Sequence, residues 1–334
     1  MKLKIISLFL LMVLAFACNS NKTRLDIDVS DVRIEELEIN RYEKALFSIN
    51  PDSLKEGLQN IDPRYEVFLG PDWDQARNLI QLKDYILDPK IQELYRDVMS
   101  LYPGLSDLSS ELSEAFRHYK YYYPGEDIPA VYSYVSGLHY EQPVEYASNI
   151  LVIGLDNYLG KDYPAYKKLG IPLYKARLMS PEYISIDCFR ELGIMHTPAY
   201  KTRYLLDEMI LHGKFLYFID AMLPAKAGHL KIGYTPEEIQ WCRSNEASIW
   251  AFLIENELLY SKDFQAVKKF IGDGPFTAGF GNDSPGRLGV WVGWQIVRKY
   301  MEKNPGVNLQ QMLGNTDAQE ILQSSSYKPV KQGR

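Results

Sequence analysis

The sequence predicts an α+β fold, predominantly helical, with a small sheet packed against the helices. Three observations carry that expectation. The 334 residues are 46% hydrophobic and 24% charged, which is enough apolar material for a packed core. Strand-like stretches, alternating or rich in β-branched and aromatic residues, are confined to the first half of the chain. From Ser180 onward, helix-opening Ser/Thr-Pro pairs follow one another almost without a break.

Taken in order, LDIDVSDVRIEELEI, from Leu25 to Ile39, alternates apolar and polar residues at the period of a strand. Asn50-Pro51 and Asp88-Pro89 place a capping side chain before a first-turn proline. Helical periodicity runs from Asp72 to Leu87 and from Lys90 to Leu101, and a further helix is expected to end near Lys120. Ile128–Gly137 and Ser148–Asp156 are rich in β-branched and aromatic residues and predict the inner strands. Ser180-Pro181 then opens a helix, Thr197-Pro198 a long one that stops at Pro224, and Thr235-Pro236-Glu237-Glu238 supplies a capping box for a third. A helix from Pro285 to Lys303 and shorter ones complete the chain. No repeat, low-complexity block or Pro/Ser linker divides residues 25–330, which read as one domain.

The amino terminus reads MKLKIISLFLLMVLAFAC, with Lys2 and Lys4 ahead of an apolar run from Ile5 to Phe16. That run is shorter than the roughly 20 residues needed to cross a bilayer, so residues 1–17 are expected to be a cleaved export signal. Ala15, Phe16 and Ala17 before Cys18 resemble a bacterial lipobox. By that resemblance Cys18 becomes the acylated first residue, with residues 18–24 as tether. Ordinary signal cleavage with a free Cys18 is the alternative. Asn-Ser-Asn-Lys after Cys18 is no acidic cluster, and by the same resemblance the body faces the periplasm. No later segment is apolar enough to span a membrane.

The net charge of −6 offers no basic field for nucleic-acid phosphates, so no such partner is expected. Three cysteines with no Cys-x-x-Cys exclude a four-thiolate zinc site, while Cys188 and Cys242 could pair or sit as small buried hydrophobes. His-Glu-x-x-His is absent among the five histidines, which removes the ordinary zincin site. Asp187 and Glu191 lie i, i+4 on one predicted helix, and Glu208 and His212 repeat that spacing on the next. Such a set could hold a divalent ion or form a solvated helix face. Ser284, in GNDSPGRLG, lacks the first glycine of Gly-x-Ser-x-Gly and reads better as a helix cap before Pro285. Gly286, Gly289 and Gly293 lie near one face of the last long helix and predict a close backbone approach. The 25 tyrosines, with Tyr121-Tyr122-Tyr123, Tyr132, Tyr134 and Tyr140 clustered, suit either a core or a binding surface for protein or glycan.

Several long stretches resemble the GldB family of gliding-motility lipoproteins of Bacteroidota. They are VIGLDNYLGKDYP (Val152 to Pro164), IPLYKARLMSPEYISIDCFRELG (Ile171 to Gly193), LLDEMILHGKFLYFIDAMLP (Leu205 to Pro224), the stretch from Ile232 to Ser261, and that from Pro275 to Pro305. The resemblance implies a lipid-anchored envelope protein needed for gliding and linked to type IX secretion. Its implied partners are the membrane and other proteins of that machinery, with no established catalysis and no cofactor. The chain is also distantly similar to predicted zinc proteases. In that comparison Asp187-Cys188-Phe189-Arg190-Glu191 takes the place of the metal helix and His212-Gly213 that of a Glu-Gly pair. This implies a degenerate zincin-like scaffold with a vestigial site at Asp187, Glu191 and His212. The alternative function is a metal-dependent envelope peptidase or amidase that uses those three residues.

Overall fold

The computed structural model describes residues 23–329; Cys18 and the export segment lie outside them. The chain runs β1 (Ile39–Arg41), α1 (Tyr42–Phe47), α2 (Leu54–Gln59), α3 (Ala76–Leu87), α4 (Pro89–Leu101) and α5 (Ser106–Tyr122). The strands β2 (Ala130–Tyr134), β3 (Val144–Ala147) and β4 (Ile150–Gly154) follow. Beyond them come α6 (Pro164–Lys168), α7 (Leu173–Ala176), α8 (Ile184–Met195), α9 (Leu205–Met222) and α10 (Gly228–Ile232). The chain ends in α11 (Pro236–Glu255), α12 (Phe264–Ile271), α13 (Leu288–Lys303), α14 (Leu309–Gly314) and α15 (Ala318–Ser325). This is the predicted α+β, mainly helical architecture.

The sheet has the order β1-β2-β4-β3, with β1, β2 and β4 parallel and β3 antiparallel at the edge. Val131, Leu151 and Ile153 are fully buried on it, within the large core cluster that also takes in α5, α8, α9 and α13. β3 was not foreseen, because Val144–Ala147 is too short to show a period. Ser148 and Asn149, at φ 50° and 62°, make the two-residue positive-φ turn that folds it back onto β4.

Several helix starts follow their local chemistry. The Asn50 and Asp88 side chains accept from the backbone N–H groups of Asp52 (3.0 Å) and Lys90 (2.7 Å). Thr235 and Glu238 exchange reciprocal capping bonds of 3.1 and 2.7 Å.

Three expectations are corrected. The strand over residues 25–39 reduces to Ile39–Arg41; Leu25, Ile27 and Val29 do turn inward and Asp26, Asp28 and Ser30 outward, but this alternation records which side meets the core and involves no ladder partner. The long helix starts at Leu205 rather than Pro198, because the Thr197 hydroxyl caps the preceding helix by donating to Gly193 O (2.8 Å), while Asp207 accepts from Tyr204 N (3.0 Å) at the true start. The last long helix begins at Leu288, not Pro285. Ser284 Oγ donates to Gly281 O (2.8 Å) and stitches a loop instead of capping the helix.

The expected close approach is present. A Cβ on Gly293 would lie 1.8 Å from Met209 O, and one on Gly213 would lie 2.4 Å from Gly293 O. The backbones of α9 and α13 therefore touch where they cross. Two turns on, buried Asp220 accepts from Lys231 Nζ (3.0 Å), Trp294 Nε1 (2.9 Å) and Arg298 Nε (2.9 Å), with the Arg298 guanidinium 3.6 Å over the Trp294 ring. Fully buried Lys214 donates from α9 to the carbonyls of Leu313 and Asn315 at the end of α14, and burial lowers its pKa to about 8. Cys188 and Cys242 are both buried and unpaired. Among the described residues, no helix is long and apolar enough to cross a membrane.

Gly293→Ala is expected to cost about 3 kcal/mol or more, since a backbone carbonyl must move to admit the methyl group. Gly314→Ala, which meets nothing within 4 Å, should be neutral or slightly stabilising. Urea denaturation of the two variants measures the contrast. By the same measurement, Asp220→Ala should cost about 3–5 kcal/mol, because it strands Lys231 and Arg298 without their buried counter-charge.

Candidate functional site

The carboxyl ends of parallel strands β2 and β4 open toward α8, and a group of charged side chains gathers there. A cleft of about 370 Å³ is lined by Tyr140, Asn157, Tyr158, Lys175, Asp187 and Arg190, with Asp273 at its rim and Leu178 and Met179 as apolar floor. Each wall has a local cause. The segment after β2 turns through Gly137 and Leu138, at φ 74° and 64°, because Ser136 N and Leu138 N both donate to the buried Asp156 carboxylate, at 2.7 and 2.6 Å. Beside it, Asn157 Nδ2 donates to Ser136 Oγ (3.0 Å), while its buried Oδ1 has no partner among the described residues.

Asp187, on α8, accepts from Tyr158 O–H (2.8 Å) and from Arg190 (2.5 Å), so each carboxylate oxygen has a donor. Burial raises its pKa against the pull of Arg190, the opposite of what an exposed ion pair gives. Tyr158, almost fully buried, is driven far above the ordinary phenol range by burial and then by the Asp187 charge. It is a hydrogen-bond donor and stays one.

Arg287 enters from the far side. It sits at φ 61°, a left-handed conformation uncommon for a residue with a Cβ. The backbone before it is locked: Tyr234 O–H donates to Gly286 O (2.6 Å), and a Cβ on Gly286 would lie 2.3 Å from Gly274 O. The Arg287 guanidinium reaches only distant partners, Asp273 Oδ1 at 3.7 Å and Ile232 O at 3.4 Å. Burial lowers its pKa.

His212, on α9, stands 4.0 Å from Glu208. Burial first, then the positive charges of Arg287 and Arg190, lower its pKa to about 4. It is a neutral imidazole at neutral pH. Glu191, half-buried one turn beyond Asp187, has its pKa raised by burial. The structure thus brings Asp187 and His212 into one electrostatic neighbourhood through Arg190 and Arg287. It does not bring Asp187, Glu191 and His212 to a common point. Among the described residues no three His, Cys, Asp or Glu side chains form a metal-holding group.

Arg190 lies i+3 from Asp187, a spacing present in the sequence that the sequence reading did not single out. No spacing marks Tyr158, Asn157, Lys175, Asp273 and Arg287, since only the tertiary fold gathers them. Most of the clustered tyrosines are structural. Tyr123 and Tyr132 are buried, Tyr134 packs in the small cluster around Leu46 and Leu58, Tyr140 lines the cleft, and Tyr121 is half-exposed. A wider hollow of about 620 Å³ lies between residues 200–207, Tyr260 and the start of α15. Its carboxylates are already committed to helix starts, Asp207 to Arg203 N (2.7 Å) and Asp317 to Glu320 N (2.9 Å).

The model of the family described as gliding motility protein GldB matches residues 22–329, and the chain belongs to that family. Neither a comparison with curated proteins nor one with solved structures yields a match.

A depressed histidine pKa has a defined sign in stability. The unfolded chain binds the proton near pH 6.5 and the folded chain near 4, so the stability present above pH 6.5 is lost as the pH falls toward 4. The raised pKa values of Asp187 and Glu191 act the other way, so the test is a difference. Between pH 6.5 and 4, His212→Gln should lose less stability on acidification than the parent, by up to one proton in the slope. Denaturant midpoints across that range measure it.

Proposed function

We propose that the protein is a lipid-anchored component of the cell envelope, held by Cys18 and facing the periplasm. In this reading it serves the gliding and type IX secretion apparatus through protein contacts rather than catalysis. Family membership over residues 22–329 supports the motility role. The observation that carries the noncatalytic part is the state of Asp187: both oxygens already accept, from Tyr158 and Arg190, which leaves the carboxylate a fixed recognition element. Ser284 is likewise engaged with Gly281 O, and no imidazole is bonded to it. Acyl chains supply the rest of the mechanism. Two or more hold a protein stably on a bilayer, and confinement beside partners on the same membrane makes modest contacts sufficient.

In the native host, Cys18→Ala should release the protein from membranes and impair gliding or secretion. Glu191→Gln and His212→Gln, with the protein folded and abundant, should leave motility intact. Loss of motility in those two variants, together with stoichiometric zinc, iron or manganese in the purified protein, would instead establish a metal-dependent peptidase or amidase.

A further inference from the structure

The first residues of the body are latched to one end of the molecule. Arg24 donates through its two terminal guanidinium nitrogens to Met301 O (2.8 Å) and Val307 O (2.7 Å), bracketing the carboxyl end of α13. Thr23 and Asp26 close a turn beside it, with Thr23 N donating to Asp26 Oδ2 (2.6 Å), and Leu25 packs on the main core. From Thr23 back to Cys18 is five residues, a reach of at most about 17 Å.

α13 is the strut that relates this latch to the cleft. Its amino-terminal flank is Arg287, 3.7 Å from the cleft residue Asp273, and its last turn carries the carbonyl that Arg24 holds. A 16-residue helix is about 24 Å long. Lys303 is exposed in the last turn, and Lys299 before it is paired with the exposed Glu302 (2.8 Å).

We propose that the body stands on the bilayer by the carboxyl end of α13, with Arg24 as the latch and the Asp187–Arg190–Asp273 cleft at the membrane-distal end. This rests on acylation of Cys18. The surface around Lys303 and the Asn304–Val307 turn meets lipid headgroups. The cleft is held more than a helix length from them, so its ligand is presented from the aqueous side and not from the supporting membrane.

The test uses the lipidated protein purified from native membranes and reconstituted in phosphatidylethanolamine–phosphatidylglycerol vesicles that carry a headgroup nitroxide. Cys188 and Cys242 are buried, so a thiol-reactive fluorophore goes to Lys303→Cys in one sample and to Asp283→Cys in another. Quenching should be several-fold stronger at position 303 than at 283, and Arg24→Ala should bring the two closer to parity without loss of the acyl chains. Equal or reversed quenching in protein that is acylated and floats with the vesicles overturns the orientation alone. Protein that carries no acyl chain on Cys18, by intact mass, overturns the orientation and the anchoring together.

Discussion

The molecule depends on one contact in which no side chain takes part. Gly213 and Gly293 let α9 and α13 cross with backbone against backbone, and Met209 O occupies the volume that any Cβ on Gly293 would claim. At that separation the neighbouring turns have no freedom of register. Asp220 therefore meets Trp294 and Arg298 across the crossing and Lys231 from α10, which converts a steric fit into a directional one. Lys214, on the turn after Gly213, carries the same rigidity to the end of α14.

The cleft inherits its geometry from this crossing. Arg287 immediately precedes α13 and His212 immediately precedes Gly213, so fixing the two helices fixes a guanidinium and an imidazole relative to each other. The result is electrostatic. Burial, and then two arginines, keep His212 uncharged, while burial outweighs Arg190 at Asp187 and raises its pKa. The strained φ of Arg287 belongs to the same constraint: the loop before it is closed by Tyr234 and by Gly286 against Gly274, and the arginine takes the conformation that remains.

How much of this was legible in the sequence follows from the range of each interaction. Capping at Asn50, Asp88 and Thr235 involves neighbours two or three residues apart and reads directly from the chain. Thr197-Pro198 and Ser284-Pro285 carry the same local signature and open no helix, because the Thr197 hydroxyl serves α8 and the Ser284 hydroxyl serves the loop after Thr277. Local chemistry offers a cap; tertiary packing decides which helix uses it. The glycines of α13 announced a close approach without naming α9 as the partner, since Gly213 stands alone in its helix. The site was half legible. Asp187, Arg190 and His212 lie on helices whose spacing could be read, but Tyr158, Asn157, Asp273 and Arg287 converge from separate elements. The metal-like spacing of Asp187 and Glu191 failed to predict convergence because i, i+4 places two side chains on one face and does not aim them at one point.

The composition of the cleft decides what kind of ligand it can discriminate. Lys175 and Arg190 share the lining with Asp187, Asp273 and Glu141, so a ligand gains little from net charge and much from matching the alternation of sign. Such complementarity confers specificity more than raw affinity. Under the proposed anchoring, weak but selective contacts would be adequate, since confinement to a surface shared with partners replaces affinity that a cleft does not supply. The same logic explains why a rigid strut matters. Confinement raises the effective concentration only for partners that meet the cleft in a fixed orientation, and the glycine crossing at the centre of α13 holds that orientation from one end of the body to the other.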